Sequence, residues 1–156
     1  MSSFDLFELK KQLKNAIADL GFKAPTSIQK SSFSPILSGK DVVGIAQTGT
    51  GKTAAFALPI LHHLIHERKN NKIRALVVTP TRELAIQIGE HARQYSKFTS
   101  LRINVVYGGV KVNPQMMDLR KGADVLIATP GRLLDLISKN AIKFTALKVL
   151  VLDEAD

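Results

Sequence analysis

The segment Ala46-Gln47-Thr48-Gly49-Thr50-Gly51-Lys52-Thr53 joins an apolar run to a helical pattern. Its two glycines, Gly49 and Gly51, permit a tight turn that aims backbone N–H groups at an anion. The turn stands at the start of a helix whose dipole favours negative charge. In that frame Lys52 reaches the β- and γ-phosphates of a nucleotide, and the Thr53 hydroxyl ligates Mg²⁺. A Gly-rich turn without a ligand is the plainer alternative, and the strand before and helix after weigh against it. A second cluster, Val149-Leu150-Val151-Leu152-Asp153-Glu154, ends an apolar strand in adjacent carboxylates. Beside a phosphate loop, Asp153 is placed to anchor Mg²⁺ and Glu154 to polarise the attacking water. On its own the pair would be an ordinary charged strand end.

Upstream lies Gly21-Phe22-Lys23-Ala24-Pro25-Thr26-Ser27-Ile28-Gln29, where Pro25 and Thr26 start a helix. A Gln amide pairs bidentately with adenine N6 and N7. Physics alone, however, favours a solvent-facing helix residue for Gln29 and a core staple for Phe4. His62, His63 and His66 include an i,i+4 pair but lack an accompanying general base, so they are expected on a solvated helix face. Met116 and Met117 are expected to pack, and Arg68–Arg74 to form an exposed basic loop.

The elements that must position these groups follow from apolar periodicity. Val42–Ala46, Ala75–Thr79, Ile103–Tyr107, Asp124–Ala128 and Lys148–Leu152 are short Val/Ile/Leu-rich runs, the pattern of strands covered on both faces. Helical spacing appears in Leu9, Leu13, Ala16, Ile17 and Leu20, in Ala57, Ile60, Leu61, Leu64 and Ile65, and in Leu84, Ile88, Ala92 and Tyr95. Pro59 is expected to kink its helix or loosen a turn. The alternation predicts an α/β fold, a parallel sheet with helices on both faces. Each run is followed by a polar cluster. These are the phosphate loop, Pro80-Thr81-Arg82-Glu83, Gly108-Gly109, Thr129-Pro130-Gly131-Arg132 and Asp153-Glu154-Ala155-Asp156. In open α/β sheets ligands bind beyond the carboxyl ends of the strands, so all five are expected along one edge.

With 156 residues the chain suits one domain. Twenty-two basic against 13 acidic residues leave +9, which favours a polyanionic partner. The longest stretch free of charged residues, Thr53–His66, is short of the about 20 residues a membrane span needs. With no cysteine, disulfides and thiol catalysis are excluded. A cytoplasmic protein is expected.

Taken together, these motifs resemble the first RecA-like domain of a DEAD-box RNA helicase, from Phe4 to Asp156. Phe4 stands 17 residues before Gly21, as the family's isolated aromatic does. The remaining matches are Ala46–Thr53, Pro80–Ala85, Gly108-Gly109, Thr129–Arg132 and the Asp153-Glu154-Ala155-Asp156 box. Asn113-Pro114-Gln115-Met116-Met117 followed by Thr129–Leu136 is most similar to the bacterial RhlE-like branch. The resemblance implies a RecA-like P-loop fold binding ATP or ADP with Mg²⁺. It implies that Gln29 reads adenine, that Phe4 stacks on it, and that Phe22, Thr26, Thr48, Gly49, Thr50, Gly51, Lys52 and Thr53 complete the nucleotide site. Lys52, Asp153 and Glu154 take the catalytic roles. It further assigns Pro80, Thr81, Arg82, Gly108, Gly109, Thr129, Pro130, Gly131 and Arg132 to an RNA-backbone surface. Helix N-termini, small residues and guanidinium groups suit phosphate contact, which carries little sequence preference. For Arg82 an ion pair with Glu83 or another acid is the structural alternative, and for Thr129–Arg132 a turn with an N-cap.

Relative to the family pattern, the Ser-Ala-Thr motif and the second RecA-like domain do not appear by Asp156. The expectation is an ATP-binding part of a longer RNA helicase, with RNA and a second RecA-like domain as partners. Asp156 would link the nucleotide site to later motifs, and the isolated chain would turn over negligibly. Another P-loop enzyme, such as a DNA translocase, and a non-catalytic RNA- or protein-binding module are the rivals. The missing strand would also leave Val42–Ala46 and Lys148–Leu152 without an intervening partner.

Overall fold

The computed structural model describes residues 3–47, 49–67 and 70–155. It divides into two compact units, Met1–Arg68 with His91–Ser100, and Lys69–Glu90 with Leu101–Asp156. In the first, a 3₁₀ turn (Ser3–Leu6) precedes helices α1 (Lys11–Asp19), α2 (Ser27–Leu37) and α3 (Lys52–His66). The predicted apolar stripes are the buried ones: Leu13, Ala16 and Ile17 on α1, and Ala57, Ile60, Leu61 and Leu64 on α3. Pro59 lies inside α3, which runs through it uninterrupted. Phe33 of α2 anchors an aromatic cluster, its ring edge-on to Phe7 at 4.5 Å.

Two of the three α3 histidines depart from the solvated face expected of them. His62 and His63 are half-buried and His66 is exposed. His62 Nδ1 accepts the Lys10 backbone N–H at 3.1 Å, and His63 Nε2 lies 3.3 Å from the Ile36 carbonyl oxygen. Burial lowers the His62 pKa, with neighbouring His63, Lys10 and His66 adding to the effect. A neutral ring is what the Lys10 bond requires.

The second unit contains β1 (Ala75–Val78), β2 (Ile103–Val106), α5 (Val112–Arg120), β3 (Val125–Ala128), α6 (Pro130–Ser138) and β4 (Val149–Leu152). Helix α4 (Arg82–Tyr95) begins in it. The strands are parallel in the order β2-β3-β1-β4. Leu76, Val106, Leu126 and Ala128 share one sheet face and bury against Leu133 and Leu136 of α6, with Met116 and Leu119 of α5 partly buried alongside. Ala75, Val77, Val125 and Ile127, on the opposite face, are buried as well. Met117 departs from the packing expected of it and is exposed.

In the expected exposed loop Arg68–Arg74, Arg68 and Lys69 lie outside the described residues, Asn70, Asn71 and Lys72 are exposed, and Ile73 is buried. Arg74, expected in solvent, is 1% exposed and pairs with Asp124 at 2.7 Å. Asp124 also accepts the Arg102 backbone N–H at 2.8 Å. Each of these residues stands one position before a strand, so the carboxylate ties together the starts of β1, β2 and β3.

A further correction concerns the first predicted strand. Among the described residues Val42–Ala46 belong to no strand, and Val43 and Ile45 are about nine-tenths exposed, at 90% and 92%. Among the described residues four strands therefore replace the five expected. An apolar run becomes a strand only where a neighbour accepts its backbone bonds. On its side, β4 pairs with β1 alone, and Leu150 and Leu152 stand 56% and 60% exposed. An open apolar edge of this kind templates strand addition. The chain is therefore expected to self-associate with rising concentration in light scattering, and Leu152→Lys to suppress it. A wild-type chain that stays monomeric at every concentration would contradict this.

Candidate functional site

The phosphate loop is built by its glycines. Gly49 and Gly51 have φ of 78° and 83°, left-handed values that disfavour other residues. Gly51 is the N-cap residue of α3, whose first-turn amides have no acceptor inside the helix and face the positive end of its dipole. Lys52 and Thr53 open that helix, both half-buried. Thr50 closes the loop by donating its hydroxyl to the Gln47 carbonyl. Thr48 lies outside the described residues.

Gln29 is not the solvent-facing residue that physics alone suggested, being 3% exposed. As third residue of α2, its Oε1 accepts the Thr26 backbone N–H at 3.0 Å, completing a capping box. Its Nε2 donates to the Gly51 carbonyl at 3.2 Å. A Cβ on Gly51 would fall 2.5 Å from Gln29 Nε2 and displace that amide, while the left-handed φ of 83° independently favours glycine. One amide thus joins the start of α2 to the start of α3, a bond with no signal in the residue spacing. Phe4 is 2% exposed, its ring 6.2 Å from Phe22 and 6.4 Å from Phe33, as a core staple would be. Phe22 is half-buried and also faces Tyr95 edge-on at 6.0 Å.

In the second unit, four of the five predicted clusters follow the carboxyl ends of parallel strands and so share one edge. The phosphate loop belongs to the first unit and, among the described residues, follows no strand. Asp153 leaves β4 with its N–H on the Val78 carbonyl at 2.9 Å, and its carboxylate accepts the buried Thr79 hydroxyl at 3.4 Å. Glu154 is exposed with φ of 53°. A non-glycine residue held there costs on the order of 1 kcal/mol or more, a strain that clusters at working sites. Asp156 lies outside the described residues.

Pro80, Thr81 and Arg82 are exposed. The Thr81 hydroxyl caps α4 by accepting the Leu84 N–H at 3.2 Å. Instead of pairing along the helix, the Arg82 guanidinium lies over the Tyr107 ring, 5.0 Å from its centroid. Gly109 adopts φ of 82°, and a Cβ there would sit 3.8 Å from Arg82 Nη1. Thr129 is buried as the N-cap residue of α6 with Pro130 at its first turn, and Gly131 is exposed. The capped turn anticipated there therefore opens a nine-residue helix. Arg132 turns inward, its Nη1 on Gln115 Oε1 and its Nη2 on the Val110 carbonyl, both at 2.7 Å. Thr79, Tyr107 and Gln115 were not identified as site residues from the sequence. Gln115 entered only as a marker of the family branch.

The Thr53 hydroxyl in the first unit and the Asp153 carboxylate in the second are each hard oxygen donors, the chemistry that Mg²⁺ prefers. Among the described residues no group of three or more His, Asp or Glu side chains gathers into an all-protein metal cage. Nor is any described helix long and apolar enough to cross a membrane.

A parallel α/β sheet with a glycine-built phosphate loop defines a RecA-like P-loop domain. The model of the DEAD/DEAH box helicase family matches residues 26–156, and the chain belongs to that family as a DEAD-box RNA helicase N-terminal domain. It is 42% identical to the ATP-dependent RNA helicase CshA of Listeria monocytogenes over 100% of this chain and 30% of that protein. It is 43% identical to the ATP-dependent RNA helicase SrmB of Escherichia coli, over 100% of this chain and 36% of that one. The crystal structure of a hypothetical ATP-dependent RNA helicase from Sulfolobus tokodaii superposes with a TM-score of 0.86 at 40% identity, covering 95% of this chain and 42% of that one. The chain thus spans about a third of the length of these curated relatives.

Proposed function

We propose that the chain is the ATP-binding part of an ATP-dependent RNA helicase. The observation that carries this reading is the left-handed Gly49–Gly51 loop at the start of α3, held by the Gln29 amide. Lys52 and the Gly49–Thr53 amides hold phosphates, and Thr53 and Asp153 supply oxygens for Mg²⁺. When bound, Mg²⁺ neutralises charge on the phosphates. Glu154 orients the attacking water and accepts its proton. Gln29 selects adenine, with Phe4, Phe22 and Thr26 completing the base end and Thr48 and Thr50 the loop.

Pro80, Thr81, Arg82, Gly108, Gly109, Thr129, Pro130, Gly131 and Arg132 form part of an RNA-backbone surface, read without base sequence. The net charge of +9 supports long-range attraction to such a polyanion. Unwinding belongs to a longer protein with a second RecA-like domain, to which Asp156 would be coupled, and turnover by the isolated chain is negligible. The resemblance of Asn113–Met117 and Thr129–Leu136 to the RhlE-like branch supports a member of that branch, and its RNA substrate is met in the cytoplasm.

Titration with ATP and GTP tests the base assignment. Losing a bidentate base contact costs ~1–3 kcal/mol. Gln29→Ala is therefore expected to weaken ATP binding roughly tenfold more than GTP binding. Equal losses for both nucleotides would reduce Gln29 to its cap and its Gly51 bond.

A further inference from the structure

Gln115 of α5 stands outside every residue assigned above, yet it holds the double-glycine turn. Its Nε2 donates to the Tyr107 carbonyl at 3.2 Å, while its Oε1 accepts from Arg132 Nη1 at 2.7 Å. Arg132 Nη2 donates in turn to the Val110 carbonyl at 2.7 Å. Tyr107 and Val110 are the residues immediately before and after Gly108-Gly109, so one amide and one guanidinium clasp the turn at both ends.

The clasp has work to do there. Two consecutive glycines lose more conformational freedom on ordering than any other pair, and Gly109 is left-handed. A turn that offers its backbone to a phosphate binds more weakly if it must order at that moment. The Tyr107 ring also carries Arg82, so fixing the Tyr107 carbonyl steadies the platform beneath that guanidinium. The Arg132 side chain is only 10% exposed, its Nε 3.8 Å from Asp135. With its fork turned into the protein, Arg132 acts on RNA through the turn.

We infer that Gln115 is a positioning residue for RNA-backbone binding, pre-ordering the Gly108-Gly109 turn and the Arg82 platform through Tyr107 and Arg132. The inference rests on the RNA surface proposed above.

The test measures binding of a fluorescently labelled oligouridylate to the chain across a salt series. Wild type is compared with Gln115→Ala, which removes both arms, and with Gln115→Glu, which keeps the acceptor for Arg132 but loses the donor to Tyr107. Gln115→Ala should weaken binding about five- to tenfold, the scale of one or two lost hydrogen bonds, and Gln115→Glu by less. The slope of log affinity against log salt should fall by about 0.7, the loss of one phosphate contact on a single strand. Hydrogen exchange at the Gly108 and Gly109 amides should quicken in both variants. A purely structural role would leave the slope unchanged. Wild-type affinity and slope in folded Gln115→Ala would overturn the inference while leaving the RNA surface standing. A wild-type chain that fails to bind the oligomer would remove the RNA surface itself. Should Gln115→Ala not fold, Gln115→Glu decides by the same comparison.

Discussion

Asp124→Ala should destabilise the chain by about 3–5 kcal/mol, because it strands the Arg74 charge in a dry interior. Both side chains are 1% exposed, and the carboxylate holds Arg74 at 2.7 Å and the Arg102 N–H at 2.8 Å. A loss of that size is a large share of the roughly 5–15 kcal/mol by which domains are stable. Urea denaturation of the variant should therefore show a midpoint far below that of wild type. The double variant Arg74→Met with Asp124→Leu removes both charges and should recover much of the loss, since apolar replacement of a buried pair is often neutral. If Asp124→Ala unfolds at the wild-type midpoint, the pair does not organise the strand starts.

This pair also shows what the sequence could and could not reveal. Its partners lie 50 residues apart, and nothing in the sequence of the run Glu67–Arg74 marks Arg74 as the residue to be buried. Strands β1 to β4 were legible because apolar runs of four or five residues have few other uses in a parallel sheet. Val42–Ala46 reads as well as they do, yet a strand needs a neighbour, and that requirement does not appear in the run itself. Helix α5 was missed because its Asn113, Pro114 and Asp118 obscure the apolar period, and none of its residues is buried.

At the site, the chemistry was more legible than the bonding. The glycines of the phosphate loop carry the left-handed angles that its spacing demanded. Gln29, by contrast, was singled out for a base, and the structure finds its amide already spent between Thr26 and Gly51. Adenine pairing by Gln29 would therefore exchange those bonds for bonds to the base. That exchange would connect the base end of the nucleotide to the loop that holds its phosphates. Arg132 likewise has bonds that its spacing did not signal, its guanidinium joining Gln115 to the Val110 carbonyl.

The second large effect concerns Lys52 and Glu154, which should fail in different ways. In the proposed site Lys52 would act on phosphates already charged in the ground state, so Lys52→Ala should weaken binding. In the proposed site Glu154 would act on water as the bond to the γ-phosphate breaks, so its neutral isostere should leave binding intact and slow turnover. General-base catalysis contributes about 10²–10⁴-fold, which sets the expected fall in rate for Glu154→Gln. The chain supplies the nucleotide titrations, and a protein of its relatives' full length supplies the RNA-stimulated turnover. The account predicts that Lys52→Ala loses ATP affinity while Glu154→Gln binds ATP as wild type does and hydrolyses it at least a hundredfold more slowly. Undiminished ATP affinity in Lys52→Ala, or normal turnover in Glu154→Gln, would contradict it.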